Sequence, residues 1–112
     1  MKKRSILLFC DAGMSTSIMV KKMQNVCDEH DMPFIVSAHP IAKLIDVVEE
    51  KNPVIVLLGP QVKFLKDKTN KQLEKYNLAV DVIDSALYGA MNGEEVMKNV
   101  IRKLKEKKDQ NE

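Results

Sequence analysis

Cysteine occurs only twice in these 112 residues, at Cys10 and Cys27. So few cysteines exclude a secreted disulfide scaffold. No apolar run approaches the roughly twenty residues that a membrane span requires. Lys2-Lys3-Arg4 is followed by an apolar stretch that ends before Asp11, too short for a signal-peptide core. Charge of one sign is also missing: 18 basic residues face 16 acidic ones, for a formal net charge of +2. The broad positive field of a nucleic-acid binder is therefore absent, and the basic runs at the two ends read as solvated faces. No internal repeat, linker or low-complexity segment breaks the chain. What remains is a soluble, cytoplasmic chain, with residues 1–105 as one domain and residues 106–112 as a charged, frayed tail.

The residues that are present alternate in pattern. Ile6-Leu7-Leu8-Phe9 is a continuous apolar run, as in a strand buried on both faces. Ser15 to His30 follows with Met19, Val20, Met23, Val26 and Cys27 at helical spacing, ended by Asp31 and Pro33. Phe34-Ile35-Val36 reads as the second strand, closing at His39-Pro40, and Ile41 to Glu50 as a short helix. Val54 to Leu58 is the clearest central strand, stopped by Gly59-Pro60. Gln61 to Tyr76 reads as a helix with a stripe of Val62, Leu65, Leu73 and Tyr76. Ala79 to Ile83 is a weaker strand whose Asp81 suggests an edge position. Asp84-Ser85 opens a turn to Gly89, and a last helix starts near Asn92 or Gly93.

That alternation predicts a single α/β domain: a four-stranded parallel sheet with right-handed crossovers and helices on both faces. Ligands of such sheets bind beyond the carboxyl ends of the strands. Four loops reach that edge: 10–16, 39–40, 59–61 and 84–88.

Cys10 lies there, followed by Asp11-Ala12-Gly13-Met14-Ser15-Thr16-Ser17. Gly13 tolerates the backbone of an anion-cradling turn, and small neighbours let N–H groups converge. Ser15, Thr16 and Ser17 can cap the helix and donate to phosphate oxygens. The helix N-terminus favours a thiolate or a phosphate carried on its sulfur. The plainer alternative is a buried structural cysteine before an ordinary capped turn.

A cysteine-dependent phosphatase loop reads Cys, five residues, then Arg. Counted from Cys10, the arginine position holds Thr16. A hydroxyl cannot replace the bidentate, permanently charged guanidinium at a transferring phosphoryl group. A phosphocysteine could form on this loop, yet its hydrolysis would be poorly assisted. Such a loop suits a phosphate carrier.

The run Leu8 to Ser17, with Leu57-Leu58-Gly59-Pro60-Gln61 and Val82-Ile83-Asp84-Ser85 to Tyr88-Gly89, resembles the lactose/cellobiose-type enzyme IIB components of the bacterial sugar phosphotransferase system. The resemblance extends from about Lys3 into the final helix; the cysteine loop is its specific part. It implies that Cys10 takes a phosphoryl group from a histidine on the IIA protein. The group then passes to a sugar bound by the membrane IIC component, such as cellobiose or another β-linked disaccharide. The resemblance implies no cofactor or metal, a monomer, and transient attachment to the membrane through IIC.

Low-molecular-weight tyrosine phosphatases share this sheet arrangement and carry a general-acid aspartate after the last strand. Asp84 falls in a comparable loop, which keeps a cysteine phosphatase as the alternative; its plainer role is to cap the turn at Ser85. A non-catalytic adaptor is the third reading. Asp11 would repel thiolate and phosphate if it pointed inward, and so is expected to point out.

Met14 and Phe64 are candidate partner contacts, with Phe64 far round its helix from the apolar stripe. Gln61, Asp84 and Tyr88 join them as expected contacts at the same edge. His39 lies near the site and could bond a loop or a partner. Cys27 and His30 have ligand-like spacing, but Cys27 falls in the apolar stripe and reads as core. His30 reads as a cap at the helix C-terminus.

Overall fold

In the computed structural model, which describes residues 3–11 and 14–110, strands β1 (Arg4–Cys10), β2 (Phe34–Pro40), β3 (Ile55–Leu58) and β4 (Ala79–Val82) form one sheet. Every neighbouring pair is parallel and the order is β2-β1-β3-β4. The chain builds outward from β1 to β2, then crosses back to place β3 on the other side. The switch point of the topology therefore falls at the carboxyl end of β1, where such sheets bind ligands.

Side chains alternate across the sheet, and the two cores follow from that period. Ile6 and Leu8 face one layer, packed with Met19, Met23 and Cys27 of α1 (Met14–Glu29) and Val96, Met97 and Val100 of α5 (Gly93–Gln110). Leu7 and Phe9 face the other, with Leu44, Val47 and Val48 of α2 (Leu44–Lys51) and Leu73, which follows α3 (Lys66–Gln72). Burial of β1 on both faces explains its unbroken apolar run.

Several elements depart from the periodicity. The stretch expected as one helix over 61–76 is divided into a 3₁₀ turn at Pro60–Leu65, then α3, then a second 3₁₀ turn at Glu74–Tyr76. Val62 breaks the first turn with φ −119° and ψ 25°, keeping its side chain buried. The stripe holds, with Thr69 filling the place between Leu65 and Leu73. A similar 3₁₀ turn, Ile41–Lys43, precedes α2. The turn expected after Asp84 is a short helix, α4 (Ser85–Gly89). Helix α5 runs on to Gln110, past the boundary set at 105, through residues that are mostly strong helix formers.

β4 is an edge strand, as Asp81 suggested. Asp81 Oδ1 accepts from the outward Val82 N–H at 3.0 Å. On the opposite edge, Gln24 of α1 takes the place of a missing strand. Its Oε1 accepts from Val36 N–H at 2.9 Å and its Nε2 donates to Phe34 C=O at 3.0 Å. Side chains thus occupy backbone groups on both edges that would otherwise template pairing.

Candidate functional site

Cys10 is the last residue of β1 and stands in the Ile6–Leu8 series, so its side chain falls on the layer covered by α1. It is 5% exposed. On one side it lies in register with Pro40 of β2. On the other, Gly59 N–H donates to Phe9 C=O at 2.9 Å and draws the end of β3 against the cysteine. A Cβ placed on Gly59 would lie 3.5 Å from the Cys10 Cβ.

The Cys10 sulfur has a side-chain donor. Thr16, in the first turn of α1, places Oγ1 2.9 Å from Cys10 Sγ and donates to it. The same oxygen lies 3.0 Å from the Tyr88 hydroxyl of α4. All three residues are buried. Position 16, where a phosphatase loop carries arginine, thus holds a compact hydroxyl inserted between sulfur and phenol. An arginine there would be far too large for the space that Tyr88 closes.

The other expected site residues divide three ways. Asp11 and Ser17 are exposed, the former as the sequence reading required of a carboxylate beside a thiol. Ala12 and Gly13 lie outside the described residues, as do the side chains of Met14 and Ser15. Gln61 and Phe64 are exposed on the 3₁₀ turn that leaves β3, Phe64 at 76%.

Tyr88 departs from expectation. Expected as a partner contact, it is 6% exposed and bonded to Thr16. The reason is local. Asp84 Oδ1 accepts from Ala86 N–H at 2.9 Å and Leu87 N–H at 3.2 Å. That cap winds residues 85–89 into a helical turn whose inner face carries Tyr88 into the core. The Asp84 carboxylate therefore serves as a helix cap. It also lines a cavity of about 280 Å³ with Asp81, Asn99 and Arg102, in which no described residue of the cysteine loop takes part.

His39 packs its ring 6.0 Å from that of Phe9 and bonds Ser37 Oγ through Nε2 at 2.9 Å. Burial holds its pKa below the usual histidine value; Lys51 adds to this and Glu50 opposes it. Cys27 is fully buried with its sulfur 4.0 Å from Met97 Sδ. Burial pushes its thiol pKa up, with a further push from Asp28. It is core, as its place in the stripe indicated. His30 is exposed just past the end of α1. No cluster of His, Cys, Asp or Glu fit to hold a metal occurs among the described residues.

Sequence reasoning missed Ile18, which is 49% exposed on the first turns of α1. It lies about 140° from the centre of that helix's apolar stripe, so the angular test applied to Phe64 would have found it. The Thr16–Tyr88 bond had no comparable signal, because 72 residues separate the pair.

A buried cysteine at the switch point of a parallel sheet, with a hydroxyl on its sulfur, defines a class of small cysteine-loop α/β domains. The lactose/cellobiose-specific IIB subunit family of the sugar phosphotransferase system matches residues 5–99. The galactose-specific EIIB component of Lactococcus lactis subsp. cremoris is 36% identical over 100 residues, covering 87% of this chain and 93% of the relative. The oligo-beta-mannoside-specific EIIB component of Bacillus subtilis is 37% identical over 100 residues, covering 88% and 93%. The solution structure of a cellobiose-specific IIB component from Borrelia burgdorferi superposes with a TM-score of 0.75 at 30% identity, covering 94% of each chain. The lactose-specific IIB domain from Streptococcus pneumoniae shares the fold, with a TM-score of 0.80 at 12% identity over 90% of this chain and 97% of that one.

The chain belongs to the lactose/cellobiose-specific IIB family, and it is a phosphotransferase component of sugar transport.

Proposed function

We propose that Cys10 is the phosphoryl carrier of this IIB component. Its thiolate attacks the phosphohistidine of a IIA protein in line. The S–P bond forms as the N–P bond breaks, and that bond's electron pair stays with the imidazole. A hydroxyl of the sugar held by IIC then attacks phosphorus. The S–P electron pair returns to sulfur, and the hydroxyl proton passes to solvent. Backbone N–H groups of residues 11–17 and the α1 N-terminus are the natural donors to the equatorial oxygens. Catalysis of this kind rests on positioning and electrostatics.

One observation carries the reading: Cys10 sits at the switch point with Thr16 Oγ1 2.9 Å from its sulfur, where a phosphatase would hold arginine. The Asp84 carboxylate, the general acid that the phosphatase reading needs, is engaged by two backbone N–H groups. Among the described residues no helix is long and apolar enough to cross a membrane. As a IIB component, the chain would dock from the cytoplasm, as a monomer, to a membrane IIC partner. We read the sugar as a β-linked disaccharide; the proteins named for cellobiose and for oligo-beta-mannosides support that reading, and the relative named for galactose does not favour it.

Incubation with radiolabelled phospho-IIA tests the proposal. Stable label on Cys10, absent from Cys10→Ser, is the expected result. Label that persists in Cys10→Ser, or prompt release of inorganic phosphate from the wild type, overturns it.

A further inference from the structure

We infer that Tyr88 is a positioning residue for the reacting sulfur and acts through Thr16. This rests on the reading of Cys10 as the phosphoryl carrier, but its geometry stands independently. A hydroxyl has one proton and two lone pairs. Among the described residues, Thr16 Oγ1 is bonded to Cys10 Sγ at 2.9 Å and to the Tyr88 oxygen at 3.0 Å. A thiolate carries no proton and can only accept. With the Thr16 proton on sulfur, the bond between Thr16 and Tyr88 is one in which the Tyr88 hydroxyl donates to Thr16 Oγ1. The order is phenol to threonine to sulfur.

This chain of donors fixes a choice that threonine alone leaves open. A threonine side chain has three staggered χ1 wells, which point its hydroxyl in different directions. Tyr88 supplies a buried donor only where Oγ1 faces the sulfur, and so favours that rotamer. Burial strengthens both bonds and removes the water that would compete for them. When a phosphoryl group is attached to sulfur, the same proton remains directed at the phosphorylated centre.

The position of Tyr88 is itself held. Asp84 caps α4 through two N–H groups, and Tyr88 N–H donates to Asp84 C=O at 2.9 Å. The device thus spans the end of β4, the start of α1 and the end of β1.

A double-mutant cycle tests it, read as the rate of iodoacetamide alkylation of Cys10 at neutral pH, assigned by peptide mass, and as the rate of transfer from phospho-IIA. Thr16→Val is expected to slow both about tenfold, and Tyr88→Phe about three- to tenfold. The double variant should match Thr16→Val within about twofold, because contacting residues that act in series are not additive. Thr16→Ser, which keeps the hydroxyl, should restore most of the rate. If Tyr88→Phe has no effect, or slows Thr16→Val as much as it slows the wild type, the inference is wrong and Tyr88 acts on its own or not at all.

Should Tyr88→Phe fold poorly, fluorotyrosine incorporated into the Tyr76→Phe protein probes the same bond, since the chain has two tyrosines. A more acidic phenol at Tyr88 should change the alkylation rate with Thr16 present and leave it unchanged in Thr16→Val; any other pattern overturns the inference. Alkylation needs no phosphoryl donor. Failure of the carrier reading would appear instead as label retained by Cys10→Ser.

Discussion

Gly59 meets Cys10 across the gap between β3 and β1: a Cβ on the glycine would touch the cysteine Cβ at 3.5 Å and Gln61 Oε1 at 2.7 Å. The first contact is ordinary packing. The second is too close, but it involves the free end of a flexible, exposed side chain. Gly59 has φ −65° and ψ 154°, which alanine adopts without strain.

Gly59→Ala should therefore leave stability unchanged or raise it by about 0.4–1 kcal/mol, through the entropy of the unfolded chain. Phosphoryl transfer should fall about three- to tenfold, because Gln61 is displaced and the wall beside the sulfur is filled. Thermal unfolding and the phospho-IIA transfer rate, measured on the same preparation, check both halves. Transfer at the wild-type rate would show that Gln61 and this wall take no part.

Gly93 lies at the opposite extreme. A Cβ there would stand 2.7 Å from the backbone carbon of Lys22 and 2.9 Å from its carbonyl oxygen. These atoms cannot rotate away, so α5 must move off α1. Gly93→Ala should cost about 1–3 kcal/mol, typical of overpacking. At roughly 4–8 °C per kcal/mol for a domain near this size, the loss is readily seen in a melting curve. Cys10 should still accept label at temperatures where the variant is folded.

These glycines mark how far the sequence could be read. Strand and helix periodicity foretold the parallel sheet and both packed faces, because burial imposes those periods on β1, α1 and α5 directly. The carboxyl end of β1 followed from topology, and Cys10 with it. Position 16 was legible as the absence of arginine. Its contact with Tyr88 was not, since two residues 72 apart meet only after β4 and α4 are placed. The breaks at Val62 and the helical turn at 85–89 were hidden for a related reason. Both depend on whether a local turn can bury its apolar residue, which tertiary packing decides.

Phe64 and Ile18 are the most exposed large apolar side chains among the described residues, at 76% and 49%, with Ile35 at 47%. Phe64 leaves the carboxyl end of β3 and Ile18 lies two residues beyond Thr16, so both belong to the edge that holds Cys10. Phe64→Ala and Ile18→Ser should change stability by no more than about 0.5 kcal/mol, as surface substitutions do. If this edge docks partners, the apparent KM for phospho-IIA should rise about five- to thirtyfold while transfer at saturating IIA is retained. Ile35→Ser, on the β2 edge, is the control and should leave KM unchanged.

His39 gives the fold a dependence on pH whose sign is set by its surroundings. Burial against Phe9 and the neighbouring Lys51 lower its pKa from the ordinary histidine value of 6.5, with Glu50 opposing. The unfolded chain therefore binds a proton more readily than the native one. Neutral His39 contributes stability above about pH 6.5. That contribution declines as pH falls below the unfolded value and is gone once the native ring is protonated as well. His39→Gln lacks the titrating group, so its unfolding free energy should fall less steeply than the wild type's from pH 7 toward pH 5. Urea unfolding at several pH values measures the two slopes, with carboxylate effects common to both proteins cancelling in the difference. Parallel slopes would mean that His39 keeps its ordinary affinity for protons in the folded protein.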